Sequence, residues 1–237
     1  MPYRRLLLFA LFYLSTAAFA APPLVAIDVG HGLKDSGAIS ARGRSEFEFN
    51  RVFAGVLAGA LRKRDLGVRE INFAGDMGSL AERPAQAVGS DFFIAIHHDS
   101  ISLPYLKLWD WDGSEASYAE QKRGFGLFVS AQSPDLATSL RCGSSIGAML
   151  RRVGFVPTPW HGRNHLAADA ENGVWYYDNL VVLYRTTLPA VLFEAGVIKH
   201  REEELELLDP ERQARMADAL ATGLAACLFV TGKSAQE

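Results

Sequence analysis

The feature that most constrains this chain is a recurring unit: a short apolar run that reaches a polar side chain at its far end, followed by a longer stretch with helical spacing. LVAIDVG (Leu24 to Gly30) runs directly into His31, DFFIAIH (Asp91 to His97) ends on a histidine, and AVLFEAG (Ala190 to Gly196) carries Glu194. Runs that are apolar throughout suit strands covered on both faces of a sheet. Chains that alternate such strands with helices fold as α/β layers.

By apolar and β-branched enrichment, VREINFA (Val68 to Ala74), GFGLFVS (Gly124 to Ser130) and LVVLY (Leu180 to Tyr184) complete a set of six strands. Between them, Ser45 to Arg64 places Val52, Phe53, Val56, Leu57, Ala60 and Leu61 on one helical face, and Ser45 with Glu48 forms the S-x-x-E signature of a helix start. Pro134 to Arg152 reads as a second helix, with Ser133 as cap and Pro134 in the first turn, and Asp209-Pro210 opens a third. The expected class is α/β, a single domain with a mixed or mainly parallel sheet. Two long stretches, Asp99 to Arg123 and Val156 to Asn179, interrupt the alternation; they are rich in aromatics, so they read as ordered functional loops. The tail GKSAQE reads as frayed.

The first twenty residues are set apart. Arg4 and Arg5 precede an apolar run that ends at Ala18-Phe19-Ala20, the pattern of a cleaved secretory signal peptide; the run is short for a membrane anchor. Residues 1–20 are therefore expected to be a signal peptide and 21–237 the functional domain, in an exported protein that is periplasmic or secreted. Losing that segment removes two arginines and no acid, so the formal net charge moves from −3 to −5, which gives no electrostatic support to nucleic-acid binding. No later apolar run is long enough to span a membrane. Export permits a disulfide between Cys142 and Cys227, with two buried free thiols as the alternative.

Residues at the carboxyl ends of strands in an open α/β sheet face a common crevice. His31 and His97 occupy such ends, and Glu46 opens the helix that follows the loop after His31. Two imidazoles and a carboxylate are a common zinc set that leaves one position open. His98 is adjacent to His97 and faces the other way on a strand, so at most one of the pair joins the set. Each residue alone has a plainer role, such as a strand end or a helix-start carboxylate. Glu194 lies inside an apolar strand, where a carboxylate is costly unless paired, ligated or hydrogen-bonded; an ion pair with Arg83 or Arg185 is its plain alternative. His161 and His165 have the spacing of a second metal site, but Pro157, Pro159 and Gly162 disfavour the helix that site would need.

Taken together, IDVGHGLKDSGA with Glu46 fifteen residues after His31, SLAERPAQA, DFFIAIHHDS, GFGLFVS and LPAVLFEAGVIKHREE resemble, in order, the zinc-dependent N-acetylmuramoyl-L-alanine amidases of the amidase_3 family. The resemblance spans Ile27 to about Glu203. It implies a twisted six-stranded sheet flanked by helices, Zn²⁺ held by His31, Glu46 and His97, and Glu194 as the catalytic glutamate. It also implies hydrolysis of the amide between N-acetylmuramic acid and L-alanine in peptidoglycan or muropeptides. Leu33, Asp99, Val197 and His200 depart from the family pattern and bear on substrate fit. Relatives that act in cell division can carry an inserted helix that blocks zinc until a protein partner moves it, and Asp99 to Arg123 is where such a plug would sit. Its Trp109, Trp111 and Tyr118 either wall the groove or pack down as a satellite cluster. No wall-targeting module is expected, so recruitment would rest on the catalytic domain or a regulatory partner. A zinc exopeptidase and a catalytically silent wall-binding module are the rival functions; the second normally lacks a ligand or the glutamate.

Overall fold

The computed structural model describes residues 21–231, so the expected signal peptide and the GKSAQE tail lie outside the described residues. Nine strands and six helices follow in the order β1 (Leu24–Val29), α1 (Glu46–Arg62), β2 (Gly67–Ile71), α2 (Glu82–Gln86), β3 (Phe92–Asp99), β4 (Lys107–Trp111), β5 (Ser114–Tyr118), β6 (Gly126–Val129), α3 (Leu136–Arg152), β7 (Ala167–Asp169), β8 (Val174–Tyr176), α4 (Val181–Tyr184), β9 (Ala190–Val197), α5 (Glu203–Leu208) and α6 (Pro210–Thr231). Seven strands form one sheet in the order β2-β1-β3-β9-β6-β8-β7, and β4 and β5 form a separate hairpin. The first four strands of that order are mutually parallel; β6 runs antiparallel to β9.

The sheet is covered unequally. Alternate residues Val25, Ile27, Val29, Phe92, Ile94, Ile96 and Phe193 bury one face under α1, α3 and α6. Among the described residues the opposite face, with Ala26, Phe93, Ala95 and Leu192, is met only by short pieces of chain, among them Val182 and Leu183 of α4. Period-two alternation puts His97 and Glu194 on this thinly covered face, directly paired across β3 and β9.

Local signals account for the long helices. The Glu48 carboxylate accepts from the Ser45 amide at 3.3 Å, which closes the expected box at the start of α1. Asp209 Oδ1 accepts from the amides of Glu211 and Arg212 at 2.7 and 3.0 Å and caps α6. At α3 the expectation was displaced by two residues: Asp135, not Ser133, is the cap, accepting from Thr138 N at 3.0 Å. Cys142 on α3 and Cys227 on α6 are joined in a disulfide with Cα atoms 5.2 Å apart.

The six-strand expectation needs correction. Leu180 to Tyr184 is no strand; Val181–Tyr184 is a turn of helix that packs Val182 and Leu183 on the thin face of the sheet. A five-residue apolar run has no period to separate the two states, and here burial was satisfied without pairing. The outer positions of the sheet go instead to β7 and β8, three-residue strands within the aromatic stretch. Asp99 to Arg123 contains no inserted helix beyond a single 3₁₀ turn at Leu103–Tyr105; it forms the β4–β5 hairpin. Trp109 and Trp111 stack at 5.1 Å with the Arg42 guanidinium over both rings, and Tyr118 lies under Arg201, so these aromatics pack down as a satellite cluster. No described helix is long and apolar enough to cross a membrane.

Candidate metal centre

His31, Glu46 and His97 converge, with one potential ligand atom from each lying within 4.8 Å of the others. The two oxygens of Glu46 divide the work: Oε2 is 3.1 Å from His31 Nε2 and Oε1 is 3.0 Å from His97 Nδ1. Burial opposes ionisation of Glu46, but hydrogen bonds from His31 and His97 outweigh it and hold the carboxyl well below its usual range. A permanently charged carboxylate between two imidazoles is a donor set suited to a divalent cation.

Each of the three is held by groups that no sequence pattern flags. His31 sits in the left-handed backbone region at φ 64°, unusual for a residue with a Cβ. Its carbonyl accepts from Asn72 Nδ2 and Arg83 Nη2, both at 2.6 Å. The same two side chains also reach the Val29 carbonyl, at 2.7 and 3.1 Å, so the turn after β1 is clamped from two separate segments. Arg83 in turn lies 3.6 Å from the buried carboxylate of Asp28, whose burial pushes its pKa up to about 7. Glu46 accepts from the Ala38 amide at 3.1 Å and from Asn50 Nδ2 at 3.4 Å. Asn50 is itself fixed by His98, whose Nδ1 lies 2.8 Å from Asn50 Oδ1. His98 faces the opposite side of the sheet from His97, among Phe49 and Phe53, and burial pushes its pKa down to about 3.

Gly30 makes room for the His97 ring: a Cβ there would fall 2.3 Å from Nε2. Gly30→Ala should therefore displace His97 while β1 keeps its pairing. If the cluster holds a divalent cation, its affinity should fall roughly 10–100-fold, read by competition with a chromogenic chelator; unchanged affinity would show that the ring can yield without cost.

Glu194 stands beside this cluster. Its Oε2 is buried with no hydrogen-bond partner among the described residues, and neither arginine named as its alternative partner pairs with it. Arg83 is engaged with Asp28 and the carbonyls of Val29 and His31, and Arg185 lies over Tyr184. Burial, then the like charges of Asp99 and Glu46, push the Glu194 carboxyl well above its ordinary value. Asp99 forms an ion pair with the buried Lys122. His161 and His165 do not join the cluster; both rings pack on Phe128. Of the other departures, Leu33 is exposed, Val197 is buried, and His200 Nδ1 accepts from Glu203 N at 3.1 Å, capping α5.

Two cavities flank the cluster. One, of about 280 Å³, is bounded by His31, His97, Met77, Leu80, Leu180 and Leu192. The other, of about 580 Å³, contains Glu194, Lys122, His161 and Arg163 in its wall.

Known proteins of this kind share both sequence and fold with the chain. A protein of Haemophilus influenzae described as a probable N-acetylmuramoyl-L-alanine amidase AmiB is 28% identical over 256 aligned residues, covering 96% of this chain and 57% of that relative. The chain thus spans little more than half the length of that curated protein. The crystal structure of an N-acetylmuramoyl-L-alanine amidase from Clostridium difficile 630 superimposes with a TM-score of 0.69 at 20% identity, covering 92% of this chain and all of the other. The catalytic domain of CwlV, an N-acetylmuramoyl-L-alanine amidase from Paenibacillus polymyxa, gives 0.64 at 25% identity, with 88% and 99% covered. The family model Amidase_3, described as N-acetylmuramoyl-L-alanine amidase, matches residues 25–226, which takes in all of the sheet but the first residue of β1 and every residue of the cluster. On that extent of agreement, the chain belongs to the Amidase_3 family.

Proposed function

We propose that this protein is a zinc-dependent N-acetylmuramoyl-L-alanine amidase that cleaves the amide joining the lactyl carbonyl of N-acetylmuramic acid to the L-alanine nitrogen of a peptidoglycan stem peptide. The observation that carries the reading is the meeting of His31, Glu46 and His97 beside Glu194, whose buried Oε2 has no hydrogen-bond partner among the described residues. His31, Glu46 and His97 would hold Zn²⁺, which when bound supplies Lewis acidity to the scissile carbonyl and to water. Glu194 accepts a proton as the water oxygen bonds to the carbonyl carbon, and delivers it to the amine nitrogen as the C–N bond breaks. A carboxyl displaced upward by burial is suited to carrying that proton. The products are a glycan-linked lactyl carboxylate and a peptide with a free amino terminus. Substrate in the wall agrees with export and with residues 1–20 acting as a signal peptide.

The test is digestion of purified muropeptides followed by mass spectrometry. Zinc-loaded protein should release the intact stem peptide, a chelator should abolish release, and added zinc should restore it. Cleavage of plain peptides in preference to muropeptides would instead indicate an exopeptidase, and binding without turnover a silent wall-binding module.

A further inference from the structure

The larger cavity contains a cation that, among the described residues, has no anionic partner. Arg163 is stacked on the Trp160 ring, its guanidinium carbon 3.7 Å from the ring centroid. Among the described residues no carboxylate pairs with it. Trp160 is itself braced, by Tyr105 edge-on at 4.9 Å and by its indole N–H donating to the Gln121 carbonyl at 3.2 Å. A guanidinium held by its face keeps its N–H edges free, the geometry that grips a carboxylate with two parallel hydrogen bonds.

The other groups in this wall are already committed. Lys122 is neutralised by Asp99 and donates to the Ser100 carbonyl at 2.9 Å. His161 is seated on β6, where a Cβ on Gly126 would fall 2.4 Å from its Nε2, and Gly126 is paired across the sheet with Glu194. Burial, aided by Lys122 and His165, pushes the His161 pKa down to about 3, so the ring offers hydrogen bonds without charge.

The position of Glu194 orients the substrate. A group that protonates a departing amine must lie on the amine side of the scissile bond. Glu194 lies in the larger cavity, and the smaller, largely apolar one begins at His31 and His97. A peptide attached through its N-terminal nitrogen necessarily has its carboxylates further along the chain, on that same side.

Resting on the amidase reading, we propose that the cavity of about 580 Å³ is the peptide subsite, that Arg163 stacked on Trp160 binds a carboxylate of the stem peptide there, and that the muramoyl half lies in the smaller cavity beside His31. The recognised chemistry is an anionic peptide.

The test uses zinc-loaded wild type, Arg163→Gln and Arg163→Lys on N-acetylmuramoyl peptides with free carboxylates and on the same compounds converted to carboxamides. Wild type should favour the free acids by about tenfold in kcat/KM. Arg163→Gln should bring that ratio close to one, with Arg163→Lys intermediate. The inhibition constant of the released stem peptide should rise in parallel, while that of free N-acetylmuramic acid should not move. A wild-type ratio of one, or a preference undiminished in Arg163→Gln, overturns the subsite assignment and leaves the amidase reading intact. Failure of wild type to release peptide from either substrate overturns the amidase reading and this one with it.

Discussion

Glu194→Gln should bind zinc in the wild-type ratio and hydrolyse muropeptides some 10²–10⁴-fold more slowly. The substitution keeps the shape of the side chain and removes the ability to carry a proton. His31, Glu46 and His97 are untouched, so metal content measured by elemental analysis should stay the same. The folded protein should be no less stable, because a carboxylate with one buried and unpartnered oxygen is exchanged for a neutral amide. Slow turnover together with full metal content and an unchanged melting temperature would therefore isolate the proton-transfer role. A zinc-loaded variant that releases stem peptide at the wild-type rate would take Glu194 out of the reaction.

Removing the disulfide should have the largest effect on stability. Cys142 and Cys227 are 85 residues apart, and closing a loop of that length restricts the unfolded chain by about 4–5 kcal/mol in the chain-entropy account. Whole domains are stable by only about 5–15 kcal/mol, so Cys142→Ala/Cys227→Ala should lose a large share of the total. Guanidinium titration of the two proteins would read the loss as a lower midpoint. Activity of the fraction that remains folded should persist, because neither α3 nor α6 contributes to the wall of either cavity beside His31 and Glu194. An unchanged midpoint would mean that the cross-link's restriction of the unfolded chain is offset by strain in the folded state or by structure retained in the unfolded chain.

Much of this architecture was legible in the residues. The strands from Leu24, Asp91 and Ala190 were marked by uninterrupted apolar runs, and the α1 and α6 starts by capping chemistry. The meeting of His31, Glu46 and His97 followed from their strand-end and helix-start positions; their chemical roles are the proposal above. Leu180 to Tyr184 was misread because composition favours a strand there while tertiary burial is served equally well by one helical turn. β7 and β8 are too short to show a period. The clamp on His31 was invisible for a different reason. Asn72 and Arg83 act through backbone carbonyls some forty and fifty residues away; Arg83 lies in the SLAERPAQA stretch, but nothing local to either residue shows which carbonyls it reaches. Asn50 and His98 are hidden in the same way: a helix residue and a strand residue become partners only when α1 crosses β3.

The unequal covering of the sheet has a further consequence. Of the side chains proposed for hydrolysis, His97 and Glu194 project from the central strands β3 and β9 and Glu46 from the start of α1, whereas the wall bearing Trp160 and Arg163 belongs to an excursion between α3 and β7. The group proposed for selectivity and those proposed for reactivity thereby sit on different segments of the chain. Exchanging that excursion for one of different charge should redirect the protein to a differently decorated stem while the hydrolytic machinery underneath carries on as before.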